Sequence, residues 1–335
     1  MNAIAAPNLV SSLVNRVLAV KPLFNLARTR ARNMMIERAE SIGVPWREQV
    51  RVLRSRQSPT EFDPDWEFEL AAIRNSNLSY PDYYVTSFHA YEEGNLGWLP
   101  AMEVEVAARA VHARIWPEAG AEGDAKLRQS YHEVLKAKLP KAPKDIVDLG
   151  CGVGMSTTTL QSTFPGSHLT GVDLSPYFLT VANYRTQSQK PSLSAVASSS
   201  YATAEPGLLE AASSDSIRWH HAAAEATGLP AASYDLVSAC LMFHELPQSA
   251  AKAIIHEARR LLRPGGHLAI MDMNPGSEVF TKMPPFVLTL LKSTEPYLDE
   301  YFALDFEQTC RDVGFQTPSV TCNSPRHRTI IAQAQ

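Results

Sequence analysis

Apolar residues follow two periods along this chain. From residue 145 onward, short apolar runs alternate with stretches of helical spacing. Ile146, Val147 and Leu149 form a compact run of the kind required by a strand covered on both faces. Gly150, Gly152 and Gly154 follow, and 155–161, rich in Ser and Thr, opens a helix. A second strand, 168–175, carries the acidic Asp173 near its end, and Ser175-Pro176 starts a helix reaching about residue 185. Segments 216–220, 234–241 and 267–273 read as three further strands. Between the last two, 249–262 is a helix ending on Arg259 and Arg260, with Arg263, Pro264, Gly265 and Gly266 behind it. A helix over 305–314 stops at a glycine, and 316–321 and 328–332 read as two more strands. Strands alternating with helices predict an α/β fold with a doubly wound, mostly parallel sheet. Two insertions interrupt the pattern. Residues 187–214, rich in Ser and Ala, predict a surface loop; 276–304, apolar and aromatic, predicts a cap over a pocket, in preference to a membrane contact.

Before residue 140 the spacing is mainly helical. Helices are expected over 65–74, 101–116 and 125–139, and Pro140 and Pro143 close the region. The chain thus divides into 1–140, a helical and aromatic region, and 141–335, a ligand-binding core. Leu9, Val10, Leu13, Val14, Val17 and Leu18 form one helical stripe; Leu23, Phe24, Ala27, Ala31, Met34 and Met35 form another beyond Pro22. Residues 1–56 hold ten Lys/Arg and three acids. Three readings stay open: helices packed on the core, an amphipathic anchor at a membrane surface, or a removable organelle transit segment.

Charge and cysteine usage narrow the class. A net charge of -4 weighs against a nucleic-acid partner. The four cysteines lack C-x-x-C spacing, so neither a metal centre nor a disulfide framework is expected. No apolar run is long enough for a transmembrane segment. The expected location is the cytoplasm or an organelle stroma, with peripheral membrane contact through the N-terminus.

The candidate chemistry gathers at strand ends. Glycines at 150, 152 and 154 allow tight-turn conformations and close approach to a ligand. Asp173 stands about 20 residues on, the distance at which a carboxylate meets ribose hydroxyls in nucleotide folds. The spacing is G-x-G-x-G with Asp148 just before it, whereas a dinucleotide site wants G-x-G-x-x-G. The 233–240 strand motif and the Leu261-Leu262-Arg263-Pro264-Gly265-Gly266 turn follow in order. Together these four motifs resemble those of the class I S-adenosylmethionine (SAM)-dependent methyltransferases, closest to the small-molecule branch with the ubiquinone/menaquinone C-methyltransferases. The resemblance implies a seven-stranded Rossmann-like sheet closed by an antiparallel hairpin, and SAM as cofactor. It implies cofactor contacts from Asp148, Gly150, Gly152, Gly154, Asp173, Leu174, Ala224 and Glu225. Ala223 departs from the pattern, because many relatives place an adenine-binding Asp there.

The expected activity is methyl transfer to a small, lipophilic acceptor, at C or O. RNA or protein methylation and a non-catalytic SAM-binding role are the alternatives. His244, Glu245 and His89 are the candidate catalytic residues, with His favoured as base on its ordinary pKa near ~6.5. Segment 80–100 crowds six aromatics around His89 and Glu92. Two readings of it stay open: packing of the N-terminal helices onto the core, or a wall of the substrate pocket.

Overall fold

A computed structural model describes residues 21–56, 58–86, 91–188 and 217–335, with side chains from residue 29 onward. The stripe at Leu9–Leu18, His89 and nearly all of the insertion at 187–214 lie outside the described residues.

Seven strands form one sheet in the order β3-β2-β1-β4-β5-β7-β6. They are β1 (Asp145–Leu149), β2 (His168–Asp173), β3 (Arg218–His221), β4 (Tyr234–Cys240), β5 (Leu262–Met273), β6 (Ser319–Cys322) and β7 (His327–Gln333). The first five are parallel, and β7 runs antiparallel to both β5 and β6. The order reverses between β1 and β4, which opens a crevice at their C-terminal ends. One detail differs from the sequence expectation. Extended backbone continues through the 262–266 turn into β5, with Gly265 at φ 79° and its N–H donating to Ala334 O at 3.0 Å.

Alternation along β1 sorts the core into two layers. Val147 and Leu149 face the layer that holds Ile254, Ile255 and Leu261 of the helix Gln248–Leu261. Ile146 faces the other layer, with Leu127, Tyr131 and Leu135 of the helix Gly123–Lys138. Tyr131 lies across two strands there, its hydroxyl 3.1 Å from Ser238 Oγ and donating to Ala269 O at 3.2 Å. A third cluster joins the helices Lys21–Ser41, Trp46–Ser55, Asp65–Ile73 and Trp98–His112 to Val153, Phe178 and Val181 of the core. The 276–304 insertion forms three short helices, Glu278–Thr281, Pro285–Thr294 and Leu298–Ala303. Tyr301 anchors it by donating to Met273 O at 2.6 Å.

Candidate functional site

The glycine turn between β1 and the helix Met155–Thr163 is braced from below by Asp148. Its Oδ2 accepts from Ser156 Oγ at 2.6 Å and Thr157 Oγ1 at 2.7 Å, in the first turn of that helix. Asp148 is 1% exposed, and its Oδ1 has no hydrogen-bond partner among the described residues. Burial pushes its pKa up, and the two hydroxyls work against that. The residue thus supports the turn from the core side.

Each glycine in the turn has a different duty. All three have φ between 56° and 81°, the left-handed region that glycine enters without strain. Trp219 of β3 packs where a Gly154 side chain would stand; a Cβ there would lie 2.6 Å from Cη2. Met242, behind β4, closes the space beside Gly150, where a Cβ would lie 2.8 Å from its Cγ. Only Gly152 opens outward, since a Cβ on it would meet nothing nearer than Phe178 at 3.9 Å. Gly152 is therefore the point where a ligand can approach the main chain.

Asp173 closes the same cradle from the end of β2. Its Oδ2 accepts the Gly152 N–H at 2.7 Å and its Oδ1 the Ser175 N–H at 2.8 Å. Each oxygen keeps a lone pair for a further donor. Burial pushes its pKa up to about 6 against these backbone bonds. A carboxylate so placed suits the paired hydroxyls of a ribose.

The aromatic segment makes two sets of contacts. Its first half meets the strand ends. Tyr80 OH lies 3.4 Å from His221 Nε2, which also sits 3.0 Å from Leu174 O. Tyr83 donates to Glu225 Oε1 at 2.7 Å. Tyr84 stacks near Tyr80, with ring centroids 6.3 Å apart. Burial and the charges of Asp173 and Glu245 raise the Tyr84 phenol well above its usual range. The second half packs helices: Trp98 touches Phe62, Trp66 and Tyr177. Tyr91 donates to the buried Glu103 at 2.8 Å. Ala223 and Ala226 form a tight bridged turn, and Ala224 and Glu225 within it are partly buried.

At the end of β4 a 3-10 turn, Phe243–Glu245, presents His244. His244 Nδ1 lies 2.7 Å from Asp272 Oδ1, on β5, and its Nε2 lies 4.0 Å from Glu245 Oε1. Burial disfavours the charged ring, but Asp272 outweighs burial and pushes the pKa up to about 10. Against the expectation of a base with an ordinary pKa, the Asp272 carboxylate favours the charged ring and so opposes a base role for His244. Asp272 escaped the sequence reading. Its signal was an acid inside the apolar run Leu268-Ala269-Ile270-Met271-Asp272-Met273. In the sequence, Tyr83 and Tyr84 stand out only as part of an aromatic segment. Among the described residues no group of three His, Cys, Asp or Glu is placed to hold a metal ion.

Comparison with known proteins places this geometry. Residues 147–270 match the family model described as "Methyltransferase domain". A demethylmenaquinone methyltransferase of Thermus thermophilus is 26% identical over 137 residues, 41% of this chain and 50% of the relative. A malonyl-[acyl-carrier protein] O-methyltransferase of Hahella chejuensis is 32% identical over 130 residues, 38% of this chain and 35% of the relative. The chain thus spans about half the length, or less, of the curated relatives it matches. Among solved structures, the CurJ carbon methyltransferase aligns with 71% of this chain and 60% of its own, at 15% identity and a TM-score of 0.48. Residues 147–270 thus carry a methyltransferase domain, set on the sheet from β1 to β5.

Proposed function

We propose that this protein transfers a methyl group from SAM to a small, lipophilic acceptor, at carbon or oxygen. The observation that carries the reading is Asp173 holding the Gly152 N–H at 2.7 Å beneath an open backbone face. Bound SAM supplies an electrophilic methyl group on a sulfonium. Asp173 accepts from the ribose hydroxyls, Gly152 lets the main chain approach, and Leu174, Ala224 and Glu225 flank the base. Asp148, Gly150 and Gly154 keep the turn in shape. Orientation alone is worth roughly 7–11 kcal/mol in such a displacement.

His244 and Glu245 face the acceptor side. His244, its charged form favoured by Asp272, offers its Nε2–H to an acceptor oxygen. Glu245, 4.0 Å from His244 Nε2, is the residue we assign to take a proton. His89 remains a candidate from sequence alone.

Relatives named for demethylmenaquinone and trans-aconitate support a small acceptor. Support for "lipophilic" comes from Tyr80 and Tyr83 beside His221 and Glu225, from Tyr84 stacked near Tyr80, and from exposed Phe286, Val287 and Leu290 on the insertion. The same face supports contact with a lipid surface, although no helix among the described residues is long and apolar enough to cross a membrane. We further treat 1–140 as the region that roofs the site and 141–335 as the catalytic core.

The test uses SAM with a labelled methyl group, incubated with the protein and a small-molecule extract of its source cells. Label in the organic phase supports the reading. Label confined to aqueous metabolites removes "lipophilic", and no transfer by a SAM-binding protein removes the enzyme.

A further inference from the structure

His221 stands at the end of β3, where the N-terminal region meets the ligand edge of the sheet. It pairs with Asp173 in the β2–β3 register and is 4% exposed. Both ring nitrogens are in use. Nδ1 lies 2.8 Å from the main-chain nitrogen of Asn75, whose N–H can only donate. Nε2 lies 3.0 Å from Leu174 O, which can only accept, and 3.4 Å from Tyr80 OH. The two main-chain partners therefore fix the ring as the neutral tautomer, with its proton on Nε2. A second proton, on Nδ1, would face the Asn75 N–H, donor against donor. Burial also disfavours the charged ring; the Leu174 bond favours it, and nearby Arg74 and His220 side with burial.

This ring joins segments that the cofactor site needs in place. Asn75 and Tyr80 lead into Tyr83 and its 2.7 Å bond to Glu225. Leu174 directly follows Asp173, whose carboxylate holds the Gly152 N–H. The next residue, Ser175, donates from Oγ to Asn95 O at 2.7 Å. Both residues after Asp173 are thus tied to the region before residue 140, one of them through His221. Loss of the ring would leave a buried carbonyl and a buried N–H to find new partners, which is costly.

We propose that His221 is a positioning residue of the cofactor site, holding the Asp173–Ser175 loop against Asn75 and Tyr80 in the conformation that binds SAM. The identity of the ligand rests on the methyl-transfer reading. The bond to Leu174 O carries the effect, because Leu174 adjoins Asp173. The bond from Asn75 decides which nitrogen bears the proton that makes it.

The test is isothermal titration of the full chain with SAM at pH 8, where the Asp173 carboxyl is ionised, together with ring 15N NMR of His221. The wild-type ring should be the Nε2–H tautomer at pH 7 and at pH 8. His221→Phe should weaken SAM at least ~tenfold, as loss of a buried hydrogen bond does. His221→Gln, whose amide can still donate to Leu174 O, should return affinity to within ~threefold of wild type, whereas His221→Asn, which can serve only Asn75, should not. Melting temperatures without SAM show which variants fold, and a merely structural role would not separate Gln from Asn in affinity at equal stability. Should His221→Phe fail to fold, the Gln–Asn contrast and the NMR tautomer decide. Three results overturn the proposal: wild-type SAM affinity in folded His221→Phe, equal losses in the Gln and Asn variants, or a ring that is charged or protonated on Nδ1 at pH 7. Absence of SAM binding by the wild type is a separate result, which removes the methyl-transfer reading and the proposal with it.

Discussion

His244 Nδ1 lies 2.7 Å from Asp272 Oδ1, and the His244 main-chain N–H donates to Asp272 Oδ2 at 3.2 Å. One carboxylate therefore fixes both the ring and the backbone of the residue at the β4 tip. It also sets the ring's charge. Buried pairs of this kind contribute little net stability, yet loss of one partner is costly.

Asp272→Asn should bring the His244 pKa down from about 10 toward or below its ordinary value near ~6.5. Ring 15N NMR shifts measure it: the wild-type ring stays protonated from pH 5 to pH 8, and the variant's does not. The sign for stability follows from the raised pKa. The ring's contribution is complete below ~6.5 and is lost as pH rises through about 10. Asp272 is held below the usual carboxylate range by His244 against burial, so its contribution is lost only as pH falls through that lowered value. Denaturant unfolding at pH 7 should show a loss of about 3 kcal/mol in Asp272→Asn.

SAM affinity should follow the charge of Asp173. With the carboxyl pushed up to about 6 by burial, Kd should rise up to ~tenfold per pH unit below that value. The folded pKa exceeds the unfolded one, so Asp173 itself gives back stability as pH falls through about 6. Asp173→Asn has one acceptor where Gly152 and Ser175 present two N–H donors. It should weaken SAM at least ~tenfold, with the acid limb removed. A pH series of isothermal titrations decides; an unchanged acid limb in the variant would refute the assignment.

Gly152→Ala and Gly154→Ala should separate binding from packing. Both place a Cβ in the left-handed region, at roughly 1–2 kcal/mol. Gly154→Ala adds an overlap with Trp219, about 1–3 kcal/mol more. Gly152→Ala meets open space and should keep most stability while losing SAM affinity. Thermal melts with and without SAM would show the contrast, and Trp219→Leu should recover part of the Gly154→Ala loss.

Tyr83 should act as a latch through Glu225. Tyr83→Phe removes a 2.7 Å hydrogen bond and should cost about 1 kcal/mol. In a Glu225→Gln background the same change should cost clearly less, because the charged acceptor is already gone. A double-mutant cycle by denaturant unfolding measures the coupling; additive losses would show that the pair does not latch the segment.

What the sequence determined by itself was local. Apolar runs such as Ile146-Val147 marked strands because a parallel strand needs both faces covered, and glycines at 150, 152 and 154 marked a turn because other residues resist its backbone. The order of these signals was enough for alternating strands and helices and for Asp173 at the end of β2, while the seven-stranded sheet and its antiparallel hairpin came from the motif resemblance. Tertiary structure decided which glycine faces outward, because Trp219 and Met242 arrive from β3 and from behind β4 to fill two of the three positions. It decided the charge of His244, because Asp272 stands 28 residues away in sequence and 2.7 Å away in space. It joined Tyr83 to Glu225 across 142 residues and brought His221 to Asn75 across 146. Periodicity reports only which side of an element is buried. Pairings between side chains depend on where whole elements pack, and a buried carboxylate or imidazole acquires its character only from neighbours that packing supplies.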